Sequence, residues 1–298
     1  MEELRGFRLR ASSVLTLSRR RAARDGLSLV GLAILAQIVV SAAGNDARAY
    51  WAFSAADPYH GTVGSPDAFL YSPAAALAVL PLHQLPWPVF RLALLATSLA
   101  SLAWMTRRWA FAWVVFVPVA LDLASGNVHL LLAAAIVLGM RYPAAWSFVL
   151  LTKVTPGVGL LWYAVRREWG ALATALGVTA ALAATSALIV PSWWPQWLAT
   201  LSQSSGARTG MVIFGLTVWL PLLPRLVVAA VLVSWGAFTD RRWTVPLAAM
   251  IGVPALWTMT LAMLVGVVPL RRASGVSQTS EAGEARPVAP PIAPSRGG

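Results

Sequence analysis

The sequence predicts an all-α integral membrane protein, a polytopic bundle with short broken or re-entrant helices. Three observations carry this. Of 298 residues, 58% are apolar and only 11% are charged, whereas an average soluble domain is about 25% charged. The mean hydropathy is +0.69, and at about 20 apolar residues per helical span the chain is long enough to cross a bilayer several times. The basic residues, finally, punctuate apolar runs instead of forming patches interleaved with aromatics. Seven arginines lie in the first 24 residues, and most of the later ones stand as Arg107-Arg108, Arg141, Arg166-Arg167, Arg241-Arg242 and Arg271-Arg272.

The formal net charge of +12 therefore reads as a topology signal rather than a nucleic-acid footprint, because arginines beside membrane spans hold loops in the cytoplasm. A multi-pass protein of the cell membrane is expected, with a cytoplasmic N-terminus and no nucleic-acid partner. Cysteine is absent, which excludes disulfides, thiolate nucleophiles and Cys-ligated metals. No His or carboxylate spacing suggests a metal site.

Residues 1–26 read as a basic cytoplasmic arm and 27–270 as the membrane domain. The first span is expected over 27–43 and remains uncleaved, because the basic leader is long and further spans come after it. It delivers 44–70 to the outer side as a polar loop holding Asp46, Asp57 and Asp67. From Tyr71 to Met105 the run is broken at Pro81, Pro86 and Pro88, so a short helix is expected before a full span ending at Arg107. Trp109–Met140 is interrupted by Ser125-Gly126-Asn127 and predicts two short helices joined by a turn. Tyr142–Val165 predicts a second, shorter hairpin centred on LLTKVTPGVG. Ala171–Val190 crosses outward, 191–212 forms a second outer loop rich in Trp, Phe214–Phe238 returns with breaks at Pro221 and Pro224, and Val245–Leu270 closes the membrane part with a break at Pro254. Residues 271–298 turn to Ser, Gly, Pro and Glu without periodicity and predict a disordered tail.

Three helix starts share one local grammar: Ser72-Pro73, Thr155-Pro156 and Asn127-Val128 each offer a small polar capping residue, twice followed by proline at the first helical position. Converging helix N-termini present unpaired N–H groups and a positive dipole end, which suits a phosphate. Lys153, the only lysine in the chain, stands two residues before one of them. A lysine within the membrane costs about 2.5–3.5 kcal/mol on insertion scales and is a functional candidate by default. His129 is a possible second phosphate or hydroxyl partner, and Asp122, at the end of an apolar run, calls for a polar cavity or an arginine partner.

The runs Asp46-Ala47-Arg48-Ala49-Tyr50-Trp51, FLYSPAAALAVLPLHQLP from Phe69, SGNVHLLLAAAIVLG from Ser125 and LLTKVTPGVGLLWYAVRREW from Leu150 resemble the family 87 glycosyltransferases. Members share an Asp in the first outer loop followed by an aromatic, an F-x-Y-P-P helix start, a G-Q-N-like turn and a K-x-T-P segment. The resemblance runs from about Leu27 to Trp169, with Ser72 in place of the first proline of the pair and Asn127-Val128-His129 as a variant turn. It implies a GT-C-like membrane fold and a hexosyltransferase taking a sugar, often mannose, from a polyprenyl-phosphate donor to a lipid or glycan acceptor at the outer face, without a further cofactor. Asp46 would be the catalytic base, and Lys153, Asn127, His129, Tyr71, Ser72, Thr155, Arg48 and Tyr50 would bind substrate. The competing reading is a transporter or flippase of an anionic lipid-linked or phosphorylated substrate, since broken helices also build transporter sites. The chain shows no duplicated halves, and its first carboxylate after the first span sits in a loop.

Overall fold

The computed structural model describes residues 2–59, 61, 68–206, 211–218 and 220–272. The expected tail, from 273 onward, and parts of both expected outer loops lie outside the described residues. The architecture is that of an all-α membrane protein. Among the described residues three helical stretches are long and apolar enough to cross a bilayer, namely Ser18–Ser41, Trp87–Trp113 and Trp169–Ile189. A fourth is available if a pair bent by 109° counts as one span.

Helix α1 (Glu2–Ser41) runs unbroken from the basic arm into the first span. The chain then turns at Gly44, whose φ of 62° is left-handed, into the short α2 (Asn45–Trp51). Helix α3 (Pro73–Val79) starts where Ser72 and Pro73 predict it. Past the prolines comes α4 (Trp87–Thr106), which continues through a tight turn into α5 (Ala110–Trp113). Helices α6 (Val117–Ser125) and α7 (His129–Gly139) form the bent pair, broken at Gly126. After α8 (Trp146–Thr152) the chain breaks at Lys153 and restarts as a 3-10 helix (Thr155–Leu160) leading into α9 (Leu161–Val165). Helices α10 (Trp169–Ile189) and α11 (Trp193–Gly206) come next, so the segment expected as a second loop is largely helical.

The return expected over Phe214–Phe238, with breaks at Pro221 and Pro224, is interrupted at Pro221 but runs on through Pro224 inside a helix, and its first residues are not helical. It opens as a hairpin of β1 (Met211–Ile213) and β2 (Leu216–Val218), and α12 (Leu222–Phe238) begins only after Pro221. The reason is local: β-branched residues flank Phe214-Gly215, both of which sit at positive φ, the turn geometry that matches strand twist. Helix α13 (Thr244–Ile251) ends before Pro254, and β3 (Leu256–Trp257) joins β1 in parallel before a 3-10 helix (Thr258–Gly266). The three strands are the only departure from helix among the described elements.

Burial sorts the helices by depth. In the apolar windows of α1 and α10 only 11% of residues are buried inside the protein, against 33% for the α4–α5 stretch, so α1 and α10 present most of their surface to lipid. Helix α7 is the opposite case: Leu130, Leu132, Ala133 and Ile136 are wholly inaccessible. Close helix approach rests on small residues, as expected where lipid supplies no hydrophobic drive between helices. A Cβ on Gly31 of α1 would fall 1.8 Å from the Phe111 carbonyl oxygen of α5, and one on Gly236 of α12 would fall 1.9 Å from Thr244 Oγ1 of α13.

One charged side chain of α12 sits inside this core. Arg225, 2% exposed, donates to the carbonyls of Val253 at 2.7 Å and Pro254 at 2.5 Å. These carbonyls lie just past the end of α13, where the break leaves acceptors without intrahelical partners. Arg225 thereby fixes the bend from which residues 256–260 descend toward the polar interior of the bundle.

Candidate active site

The site is assembled from segments that the breaks in α6–α7 and α8–α9 bring together with α2. Gly126 ends α6 in the left-handed conformation, φ 70°, and a Cβ there would lie 2.6 Å from that of Ala47. Only glycine permits both the turn and the close seating of α2. That seating places Asp46, in the first turn of α2, against Asn127. Asn127 Nδ2 donates to Asp46 Oδ2 at 2.9 Å, while its Oδ1 accepts the Val128 N–H at 2.7 Å. The second bond fixes which way the amide faces. Asp46 Oδ1 has no protein partner among the described residues.

Beneath this pair lies a buried charge cluster. Asp122 is 1% exposed and His129 is 1% exposed, with His129 Nδ1 2.8 Å from Asp122 Oδ1. The other carboxylate oxygen, Oδ2, accepts the Leu130 N–H at 3.1 Å. Lys153 Nζ lies 2.8 Å from His129 Nε2, and Thr260 Oγ1 approaches the same nitrogen at 3.4 Å. Met259 Sδ stands 3.5 Å from Ser125 Oγ and 3.7 Å from Asn127 Nδ2. The segment held by Arg225 thus closes one side of the cluster.

An aromatic wall closes another. The Tyr50 and Tyr71 hydroxyls are 2.8 Å apart, and Tyr59 donates to the Tyr71 carbonyl at 2.9 Å. Phe69 packs edge-on against Tyr71 and stacks on Phe53. Burial pushes the phenols of Tyr50 and Tyr71 well above their ordinary range, so both keep their protons and one always has a hydrogen to donate to the other. Ser72 couples this wall to the lysine: its hydroxyl donates to the Leu151 carbonyl at 2.6 Å and accepts the Ala75 N–H at 3.3 Å.

Of the residues singled out by sequence, Asp46 and Asn127 form one contact, His129 and Lys153 another, and Tyr50, Tyr71 and Ser72 the neighbouring wall. Two stand apart. The Arg48 guanidinium lies over the Trp87 ring, 5.0 Å from its centroid, rather than over the cluster. Thr155 caps nothing: its segment starts as a 3-10 helix with Val154 as the preceding residue, and its buried hydroxyl has no hydrogen-bond partner among the described residues. Asn127 is not a cap for α7 either. The 109° bend lays the end of α6 over the first turn of α7, so Asp122 takes the Leu130 N–H there and leaves the Asn127 amide for Asp46. Of the three starts, only α3 has its side-chain cap, from Ser72. Asp122 was marked by sequence as an expensive carboxylate that calls for a polar cavity or an arginine; it sits in a buried polar cluster, and its side-chain partner is a histidine and not an arginine. Thr260 and Met259 carried no sequence signal, since they reach the site through the non-helical stretch after Pro254. Among the described residues no group of three or more His, Asp or Glu is placed to hold a metal ion.

Residues 69–212 match the family described as Glycosyltransferase family 87. The match spans the start of α3, the bent pair, Lys153 and the helices up to β1. No curated protein and no solved structure matches the chain.

Proposed function

Because residues 69–212 match glycosyltransferase family 87, we propose that the chain transfers mannose from a polyprenyl-phosphate donor to a hydroxyl of a lipid or glycan acceptor at the outer membrane face, on a GT-C-type scaffold. The observation that supports this reading most directly is the pairing of an oriented carboxylate, Asp46 held by Asn127, with an ammonium, Lys153, seated in a buried cluster.

Asp46 Oδ1 accepts the proton of the acceptor hydroxyl as its oxygen bonds to the anomeric carbon. The bond from that carbon to the phosphate oxygen breaks, and its electron pair leaves with polyprenyl monophosphate. During this step the phosphate gains negative charge. A fixed cation therefore holds the transition state more strongly than the ground state, which is the condition for accelerating chemistry and not merely binding. Two of the three N–H groups of the Lys153 ammonium have no protein acceptor among the described residues, so they are available to phosphate oxygens. Tyr50, Tyr71 and Ser72 shape the adjoining wall.

The test uses purified full-length protein with radiolabelled polyprenyl-phosphate mannose and lipid acceptors. Wild type should consume donor and label acceptor. Asp46→Asn keeps size and hydrogen-bonding shape but cannot accept the proton, so transfer should fall about 10²- to 10⁴-fold while donor binding persists. Translocation of intact donor without its consumption would instead establish a transporter built on the broken helices. Undiminished transfer by Asp46→Asn would remove it as the base.

A further inference from the structure

We infer that Asp122 is a positioning residue, which fixes the tautomer of His129 so that His129 Nε2 accepts a hydrogen bond from Lys153 and aims the ammonium at the donor phosphate. The aim at a phosphate rests on the proposed glycosyltransferase reading; the tautomer and the lysine contact rest on geometry alone.

With Lys153 as an ammonium, the hydrogen bonds admit one consistent assignment. An ammonium has three N–H donors and no acceptor, so at 2.8 Å from Lys153 Nζ the His129 Nε2 must present its lone pair. The ring proton then resides on Nδ1, 2.8 Å from Asp122 Oδ1, and an ionised carboxylate is the acceptor that this N–H needs. Asp122 has no freedom to do otherwise, because its second oxygen is committed to the Leu130 N–H. Anion, neutral ring and cation thus form a line in which every contact has one donor and one acceptor. Asp122 and His129 are both 1% exposed, so water cannot substitute for a lost partner.

The consequence of breaking the line is equally specific. In Asp122→Asn the side-chain oxygen is claimed by the immobile Leu130 N–H, and the new amide N–H₂ then faces His129 Nδ1. The ring must take its proton to Nε2, where it meets the N–H groups of Lys153 donor to donor, and the ammonium is expelled from its seat. An aspartate-to-asparagine change that strands a histidine in the wrong tautomer has this character in serine proteases.

The experiment is solution NMR of ¹³C,¹⁵N-histidine-labelled full-length protein in lipid nanodiscs, alongside donor kinetics. The chain has three histidines, and His60→Gln with His83→Gln leaves His129 as the only signal. In that background the resting protein should show His129 protonated on Nδ1, and Asp122→Asn should move the proton to Nε2. The kcat/KM for polyprenyl-phosphate mannose should fall about 10-fold or more, the order expected for losing a hydrogen bond to a charged group, through a lower kcat together with a higher KM. Asp122→Glu, which keeps the carboxylate, should restore the Nδ1 proton, and Asp122→Asn should cost nothing further in a His129→Gln background. Wild-type protein found with its proton on Nε2, or Asp122→Asn binding donor like wild type, overturns the inference. If wild-type protein transfers no sugar at all, the functional reading fails, whereas the tautomer measurement still decides the Asp122–His129–Lys153 line.

Discussion

Asn127 divides its amide between two tasks, and the division makes it a sharp probe of how Asp46 is held. Its oxygen is used by the Val128 N–H and its nitrogen by Asp46, so a carboxylate at this position would keep the first bond while facing Asp46 with a second negative charge. Asn127→Asp should therefore lower kcat more than Asn127→Ala, which removes the guide without adding repulsion. Steady-state transfer rates check the order; equal rates would mean that the contact does not orient the base. A parallel pair separates hydroxyls that stabilise from those that do not. Ser72 makes two bonds, one to a helix start and one to the neighbouring Leu151 carbonyl, so Ser72→Ala should destabilise by about 1–2 kcal/mol. Thr155 has a buried hydroxyl with no partner among the described residues, and Thr155→Val should leave the unfolding midpoint unchanged or raise it. Thermal unfolding in detergent reads both, and a large loss in Thr155→Val would show that its hydroxyl has a structural partner after all.

At the scale of elements, the breaks were legible and the paths the chain takes beyond them less so. Prolines, glycines and the Ser125-Gly126-Asn127 interruption place the ends of α3, α4, α6 and α7 within a few residues, because each removes a donor or demands a special backbone conformation. The long apolar stretches were legible for the same reason that they span: composition over about 20 residues decides them. The hairpin of β1 and β2 was not, because Met211–Val218 is as apolar as a helix and only the Phe214-Gly215 turn betrays its period. The site splits along the same line. Asp46, Asn127, His129 and Lys153 stand out by motif and by the cost of polar groups among apolar ones. Their pairing does not, since a bend of 109° decides that Asp122 and not Asn127 serves α7. Arg225 was missed entirely: an arginine on an apolar helix is conspicuous by residue type, but its acceptors are carbonyls, which every residue carries.

For the whole molecule, the question that connects structure to the proposed reaction is which side of the membrane each end of the bundle faces. The arginine distribution predicts an answer. Arg107-Arg108, Arg141 and Arg166-Arg167 close successive apolar stretches of the sequence, and two of these side chains lie over aromatic rings, Arg141 on Tyr142 and Arg166 on Trp162, as suits a headgroup boundary. Asp46, Tyr50 and Ala56 belong to the segment between the first two spans. If basic loops are retained inside, that segment lies outside with the donor headgroup, and Arg141 lies inside. The absence of native cysteine makes this directly measurable. Ala56 and Arg141 are both exposed, so Ala56→Cys and Arg141→Cys, made singly, present one thiol each without a background signal. In intact cells an impermeant maleimide should label Ala56→Cys at once and Arg141→Cys only after the membrane is opened. Labelling of both from the same side would place Asp46 and the Arg141 turn in one compartment and discard this topology. Labelling in the reverse order would keep the bundle but move the reaction to the cytoplasmic face, where the donor would have to be a lipid-linked sugar displayed on the inner leaflet.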